Sequence, residues 1–466
     1  MAKRGLTQAK LGEISSYDER TIRRILAGQP VRDSTLYELC ASLQLDLTGG
    51  PLGKSFGQAH QASEPTSERV SIAIFPFSNL SGDPSQDYFV DGIVEDLITE
   101  ISRFSELVVI ARNTTFQFKH KAIDIRQIAS ELGASYVVEG SVRRTKRHVR
   151  VTAQLINARY GTHQWAGRYD RALKDIFSVQ DDIAQTIASI LAAHVNKAES
   201  ERIRSKPPDV WEAYDCYLRA ADLFSAFPSV VDVEKIYEAR RFLEQALLLD
   251  PGYGRAHAML AATFMATWVN PLDADLLNPA ALDRAHRAAQ TAVQLDPNLP
   301  HGHGELGHVL LHKREHIAAI AEFERACALN PNYIHWRYGA AMTFAGQPER
   351  AIEILRSQMV RDPFYPVQAL SFLGQAYIQA QQYSDAVAPL FEATNRAPNF
   401  RPAHLFLAGA YARLGQFEEA RKEVRHVLRL DPGFTISGTP ALLAPFRHQE
   451  DFEHQIEGFR AAGLPE

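Results

Sequence analysis

From residue 209 onward, apolar positions recur at the three- and four-residue spacing of helices, and the pattern itself repeats. Prolines stand at 297, 331, 363, 398 and 432, stepping by 34, 32, 35 and 34 residues, with Pro251 a further 46 upstream. Twelve residues before each of these six prolines stands an alanine: Ala239, Ala285, Ala319, Ala351, Ala386 and Ala420. A small residue there lets two antiparallel helices cross closely. The proline then ends the second helix, because it lacks an N–H and disfavours helix in the residue before it. This predicts about six helix pairs over 209–432, with roughly a dozen extra residues near 268–279 between the helices of the second pair.

Upstream the period changes. Residues 71–77 (SIAIFPF) read as a short buried strand ended by Pro76 and the turn-forming NLSGDP. A helix follows, with Phe89, Ile93, Leu97 and Ile101 on its apolar face and Asp87, Asp91 and Glu95 expected towards solvent. Residues 107–111 read as a second strand and 123–132 as a second helix with Gly133 as its C-cap. Residues 136–142 and 149–156 read as a hairpin about 145–146. Val149, Val151, Ala153 and Leu155 alternate with polar residues there, so one face is buried. A long helix from 175 to about 198 closes this part. Residues 6–47 read as short amphipathic helices, and 48–68 (TGGPLGKSFGQAHQASEPTSE) as a flexible linker spanning roughly 25 Å. The expected organisation is therefore multidomain. An all-α head (1–47) and linker (48–68) precede an α/β domain with a mixed sheet (69–205), an all-α solenoid (209–432) and a capping segment (433–466). In that last segment a helix at 450–462 is expected to cap the stack with a polar outer face.

Charge and composition narrow the partners. The 466 residues are 45% hydrophobic and 23% charged, with a net charge of −5, so any nucleic-acid binding must come from a local basic surface. The cysteines Cys40, Cys216 and Cys327 are odd in number and far apart, which fits a reducing compartment rather than a disulfide framework. No apolar run approaches the ~18–20 residues of a membrane helix, and MAKRGLTQ lacks the apolar core of a signal peptide. A cytoplasmic protein with no membrane partner is expected.

Candidate chemistry is sparse. Asp83, Asp87, Asp91 and Glu95 could ligate a metal, but acidic residues in a first helical turn are favoured by the helix dipole anyway. The run RRTKRHVR (143–150) could meet phosphates, or be a solvated hairpin tip. His308 and His312 are four apart on a helix, yet no cysteine or carboxylate completes a metal motif. GxSxG, Walker, GxGxxG-after-strand, HExxH and CxxC motifs are absent. No catalytic residue, metal or cofactor is assigned, and no enzymatic activity is expected.

Three resemblances carry the reading further. The spacings above, with Leu373, Gly374, Tyr377, Tyr383, Ala386, Ala393 and Pro398, then Leu407, Ala408, Tyr411, Gly415, Phe417, Ala420 and Pro432, strongly resemble the tetratricopeptide (TPR) repeat. The family's pattern implies a concave groove lined by the first helix of each repeat. Here that lining is His301, His308, His312, Tyr333, Trp336, Phe344, Gln368, Gln375, Gln379 and Arg413, offered to a protein or peptide partner. The lysine–asparagine set that clamps a peptide carboxylate in some members is missing. The segments IFPFSNLSGDPSQDYFVDGIVEDLITEISR, VIARNTTFQFK, ASYVVEGSVRR and RVTAQLINARYGTHQWAGRYD look like the TolB amino-terminal (FlgO-like) domain. In bacteria that domain often precedes TPR repeats, behind a DNA-binding head or a nucleotide-cyclase domain. Finally, LTQAKLGEISSYDERTIRRILAGQPVRDSTLYELCASLQLDL resembles the Cro/repressor (Xre) helix-turn-helix. The resemblance places Lys10 on the supporting helix and Glu19, Arg20, Thr21, Arg23 and Arg24 on the helix that meets duplex DNA. Members carry a further helix where this chain has only MAKRG, so the expected head is short at its start. A DNA-binding transcriptional regulator, working as a homodimer on two half-sites, is one expectation. A TPR scaffold whose head contacts protein is another, and a cyclase-related signalling protein lacking the catalytic domain a third.

Overall fold

The structure is a computed structural model. It describes residues 70–466 apart from 105–106, 122–124, 192–207, 209, 226–231, 270–278 and 439–444. The chain divides into two compact units, Met1–Glu68 and Arg69–Glu466, and everything below concerns the second. The head and linker expected over 1–68 lie outside the described residues.

The α/β part is built on a mixed sheet in the order β3-β1-β4-β5-β6, with the two-residue β2 beside β4. The strands are β1 (Val70–Ile74), β2 (Ser78–Asn79), β3 (Leu107–Val109), β4 (Tyr136–Arg144), β5 (His148–Asn157) and β6 (Thr162–Ala172). β1 runs parallel to β3 and β4, whereas β4, β5 and β6 form an antiparallel meander. The strand expected over 71–77 is divided. β1 stops at Ile74, Phe75 N–H still donates to Val138 O (2.9 Å), and pairing resumes at Ser78 beyond Pro76. Proline cannot donate to a ladder, so it falls at the break.

Two elements were not expected. α2 (Arg112–Phe116) is a single short turn, and β6 pairs along the whole length of β5. β6 (THQWAGRYDRA) has no fully buried position; Trp165, Gly167 and Tyr169 are half-buried between exposed neighbours, and with a glycine among them they make only a weak hydrophobic alternation. The helices of this part are α1 (Asp87–Ile101), α2, α3 (Ile125–Glu131) and α4 (Ile176–Leu191). α1 and α4 cover one sheet face, where Ile72, Ile74, Val138, Val151, Ala153 and Leu155 meet Phe89, Ile93, Leu97, Ile183 and Ile187. A smaller cluster on the other face joins Ala73, Phe75, Ile110 and Val137 to Ile128 and Ala129 near α3. Gly133, at φ 65°, ends α3 in the left-handed conformation that glycine adopts at little cost.

Six helix pairs follow: α5 (Trp211–Ser225) with α6 (Val233–Leu249), α7 (Gly254–Val269) with α8 (Pro279–Leu295), α9 (Pro300–His312) with α10 (His316–Leu329), α11 (Trp336–Phe344) with α12 (Pro348–Arg361), α13 (Val367–Gln379) with α14 (Tyr383–Arg396), and α15 (Arg401–Arg413) with α16 (Phe417–Leu430). A last helix, α17, spans Gln449–Ala462. All six periodic alanines are fully buried. Gly307, Gly339 and Gly374 face Phe323, Leu355 and Leu390 so closely that a Cβ would fall within 2.3–3.0 Å of them or of nearby backbone. First helices pack on one another more closely than second helices do, so the array curves with the first helices inside.

The two parts are one body. α1 lies between the sheet and α5, and a Cβ at Gly92 would stand 2.3 Å from Leu218. Asp96 of α1 accepts from the Tyr214 hydroxyl, from Gln180 Nε2 (3.0 Å) and from Arg255 Nη1 (2.6 Å). Arg144, from the basic run on the hairpin, is no solvated tip. It donates to Asp215 at 2.9 Å and lies over the rings of Phe89 and Trp211. Farther along, Asn332 donates to the carbonyls of Ser102 and Leu107 and accepts from the N–H of Val109. Thr114 donates to Asp362 at 2.8 Å. The solvent face expected for α1 is thereby corrected: Asp91 is buried, at 9% exposure, and Asp87 and Glu95 are half-buried.

Candidate functional site

Nine of the ten expected groove residues lie on the inner helices α9, α11, α13 and α15, with Tyr333 just ahead of α11, and several of them are joined by ring contacts. Trp268 meets His312 at 5.1 Å and His312 meets His308 at 5.2 Å. His301 meets Tyr333 edge-on at 5.5 Å, Tyr333 meets His335 at 5.6 Å, and Trp336 stacks on Phe372 at 5.1 Å. Gly304 makes this ladder possible, since a Cβ there would lie 1.8 Å from the Tyr333 hydroxyl. His301 is exposed and Trp336 half-buried, whereas His308, Tyr333, Phe344 and Gln375 are buried.

The groove has two halves. In the half nearer the C-terminus, residues 445–464 of the same chain lie across the inner helices. Phe446 packs edge-on against Phe344 at 4.8 Å, and Arg447 N–H donates to Phe344 O. Gln375 donates to Gln455 (2.7 Å), Gln379 to the carbonyl of Asp451 (3.2 Å), and Arg413 to the carbonyl of His454 (2.8 Å) and to Glu457 (3.1 Å). Phe459 approaches Gly409, and Phe406 lies 6.2 Å from it ring to ring. The capping helix expected at 450–462 therefore does more than close the end of the stack. It packs mainly on the inner helix α15 and reaches α13 and α16 to an equal, smaller extent, with Gln375, Gln379 and Gly409 of the inner helices beneath it.

The other half, over α7, α9 and α11, has a polar floor with incomplete hydrogen bonding. Glu305 stands 3.8 Å from His308 Nδ1, 3.6 Å from His335 Nε2 and 3.7 Å from Arg337 Nη1. Burial alone would raise its carboxyl, but these three neighbours hold it well below the usual carboxylate range. Burial likewise holds the His308 imidazole well below its usual value, and lowers that of His335. The Tyr333 hydroxyl, Trp268 Nε1, Gln368 Oε1 and the Nδ1 atoms of His308 and His335 are buried with no hydrogen-bond partner among the described residues. Among the described residues no group of three His, Cys, Asp or Glu is placed to hold a metal ion.

Sequence reasoning missed a recurring histidine. His257, His303 and His404 each stand six residues after the proline that ends the preceding repeat, and each ring bonds that proline's carbonyl at 3.0–3.1 Å. His303 and His404 also meet Glu322 and Glu423, each at 2.6 Å. The six-residue Pro-to-His interval was visible in the sequence. The proposed DNA contacts Lys10, Glu19, Arg20, Thr21, Arg23 and Arg24 lie outside the described residues.

Residues 67–185 match the second domain of HilA/YgeH-like transcriptional regulators, and residues 301–333 and 377–435 match tetratricopeptide repeats. Over 259 residues the chain is 41% identical to putative adenylate cyclase 3 of Rhizobium meliloti (strain 1021), covering 55% of this chain and 43% of that protein. Over 273 residues it is 24% identical to the TPR repeat-containing protein YpiA of Bacillus subtilis (strain 168), covering 53% and 64%. It thus spans less than two thirds of either relative. Among solved structures, YrrB, a TPR protein with an unusual peptide-binding site, aligns over 43% of this chain and 95% of its own at 16% identity and a TM-score of 0.30. TolB from Acinetobacter baumannii aligns over 27% and 29% at 19% identity and a TM-score of 0.23. Among the described residues no helix is long and apolar enough to cross a membrane. The chain thus carries segments that match tetratricopeptide repeats and, over 67–185, a segment that matches the second domain of HilA/YgeH-like transcriptional regulators.

Proposed function

We propose that this protein is a DNA-binding transcriptional regulator of the cytoplasm, whose repeat array takes a protein or peptide partner. The match of residues 67–185 to a regulator domain carries the reading. The Xre-like sequence ahead of it supplies the DNA-reading residues, with Arg20, Arg23 and Arg24 suited to guanine edges or phosphates. The open half of the groove, with Trp336, Tyr333 and unfilled polar atoms, suits a partner that brings its own donors and acceptors. The chain acts by binding, without enzymatic activity, and pairs as a homodimer on two half-sites.

Fluorescence anisotropy of the full chain against a genomic-fragment pool at two salt concentrations tests this. Affinity is expected to fall with a log–log slope of about −0.9 per phosphate contacted. Arg24→Ala is expected to cost about 1–3 kcal/mol and relax specificity, while Lys10→Ala weakens all sequences alike. Absence of salt-dependent binding would remove the DNA reading and leave a TPR scaffold. The relative described as a putative adenylate cyclase favours a second reading, a cyclase-related signalling protein without the catalytic domain. Cyclic nucleotide formation from ATP or GTP, above a buffer blank, would contradict the proposal that this chain is not an enzyme.

A further inference from the structure

The α/β domain holds a crevice beside α1, walled in part by the core residue Phe77 and by Phe118, which also packs on Phe364 of the repeat region. The chain leaves β1 through β2, which pairs with β4, and then α1 to reach β3 on one side; it leaves β3 through α2 and α3 to reach β4 on the other. The segments at the carboxyl ends of β1 and β3 therefore diverge across β1. In open α/β sheets such a divergence opens a crevice where ligands bind. A cavity of about 980 Å³ lies at that place, with Phe77, Asp87, Asp91, Phe118, Lys119 and Gly140 among its walls.

Asp91 is the unfinished group in it. The side chain belongs to a residue only 9% exposed, because α5 and the sheet enclose α1. Its Oδ2 accepts from Lys119 Nζ at 2.6 Å, while its Oδ1 is buried with no hydrogen-bond partner among the described residues. Burial pushes the carboxyl up, and Lys119 opposes this. Asp87 is already engaged, accepting from Asn79 Nδ2 at 2.7 Å and lying 3.8 Å from both Lys119 and His120. His120, on the rim, holds φ 63°, a conformation costly for a residue with a side chain and concentrated at functional sites. The apolar wall is aromatic, from Phe77 and Phe118.

We propose that this crevice binds a small organic amine, its apolar body against Phe77 and Phe118 and its ammonium donating to Asp91 Oδ1. The unpartnered atom is an acceptor, and the carboxylates of Asp83, Asp87 and Glu139 along the walls outweigh Lys121 and favour a cation over an anion. Lys119 already occupies the other oxygen of Asp91 in the same manner.

Saturation-transfer NMR of the full chain with 2-phenylethylamine, 2-phenylethanol and 3-phenylpropionate tests the headgroup. The amine alone is expected to receive saturation. Asp91→Asn, which keeps the shape and removes the charge, is expected to weaken it about tenfold or more. Lys119→Met, which removes the competing cation, is expected to tighten it. Equal binding of the three probes, undiminished binding by Asp91→Asn, or no binding of the amine (a crevice filled by water alone) overturns the proposal. Should Asp91→Asn fail to fold, Lys119→Met decides: tighter binding supports the site, and unchanged or weaker binding overturns it.

Discussion

Asp96 and His308 are almost equally buried, at 5% and 4% exposure, yet they differ in how well they are satisfied. Asp96 has a phenol, an amide and a guanidinium on its two oxygens. His308 Nδ1 has no hydrogen-bond partner among the described residues, with Glu305 Oε2 at 3.8 Å. A buried imidazole so placed stays neutral. The consequence for His308 has a definite sign. In the unfolded chain a histidine takes up its proton near pH 6.5, while burial keeps the folded His308 unprotonated well below that. Below about pH 6.5 the unfolded state binds more protons, so stability is complete above that pH and falls with acidification. Between pH 7 and 5 this one residue is expected to remove about 2 kcal/mol. Urea unfolding of wild type and His308→Gln over that range measures it. The variant's curve should be flatter by that amount, and parallel curves would show that His308 titrates normally in the folded protein.

At the scale of elements, α17 behaves as an occupant of the array rather than a further turn of it. Its apolar residues Phe452, Ile456 and Phe459 fall at i, i+4 and i+7, the spacing by which a helix lays one face into a groove. The polar contacts from Gln375, Gln379 and Arg413 set its orientation. A labelled peptide of residues 445–466 should therefore bind a chain ending at residue 438 and bind the intact chain at least tenfold more weakly, because the intact groove is already filled. Phe459→Ala in the peptide should weaken it by about 2 kcal/mol or more, as expected for a central aromatic anchor. Anisotropy reads both values, with thermal melting confirming that the shortened chain is folded. Equal binding to both chains would mean that α17 does not compete for that surface.

The whole molecule from residue 69 is a single body in which the array completes the α/β domain. β3 is an edge strand, and exposed edges are normally protected in native sheets. Here Asn332 bonds the N–H of Val109 and the carbonyl of Leu107, and Arg361 O accepts from Ala111 N–H. Asp96 binds α1 to α4, α5 and α7 at once. Residues 69–466 should consequently melt in one calorimetric transition. Asp96→Ala removes the buried partner of the half-buried Arg255 and the acceptor of Tyr214 and Gln180, which is expected to cost about 3–5 kcal/mol and to split the transition in two. Two transitions in the wild type would show that the domain and the array are energetically separate.

Local sterics account for the features that could be read along the chain. The spacing of small residues and prolines was enough for six helix pairs, because helix crossing and termination depend on neighbours a few residues away. The hairpin of β4 and β5 followed from alternation. β6 was not legible, since only Trp165 and Tyr169 of this edge strand lean on the core and leave a weak hydrophobic period. α1 was read with a wet face because one half of its surface is apolar enough to explain a helix, and nothing nearby announces α5 more than a hundred residues later. Asp91 and Arg144 looked like surface charges for the same reason. Whether a charge is solvated, paired or left half-satisfied depends on which distant segment covers it. Only the tertiary structure decided that, and also that the groove's second half is closed by the chain's own C-terminal helix.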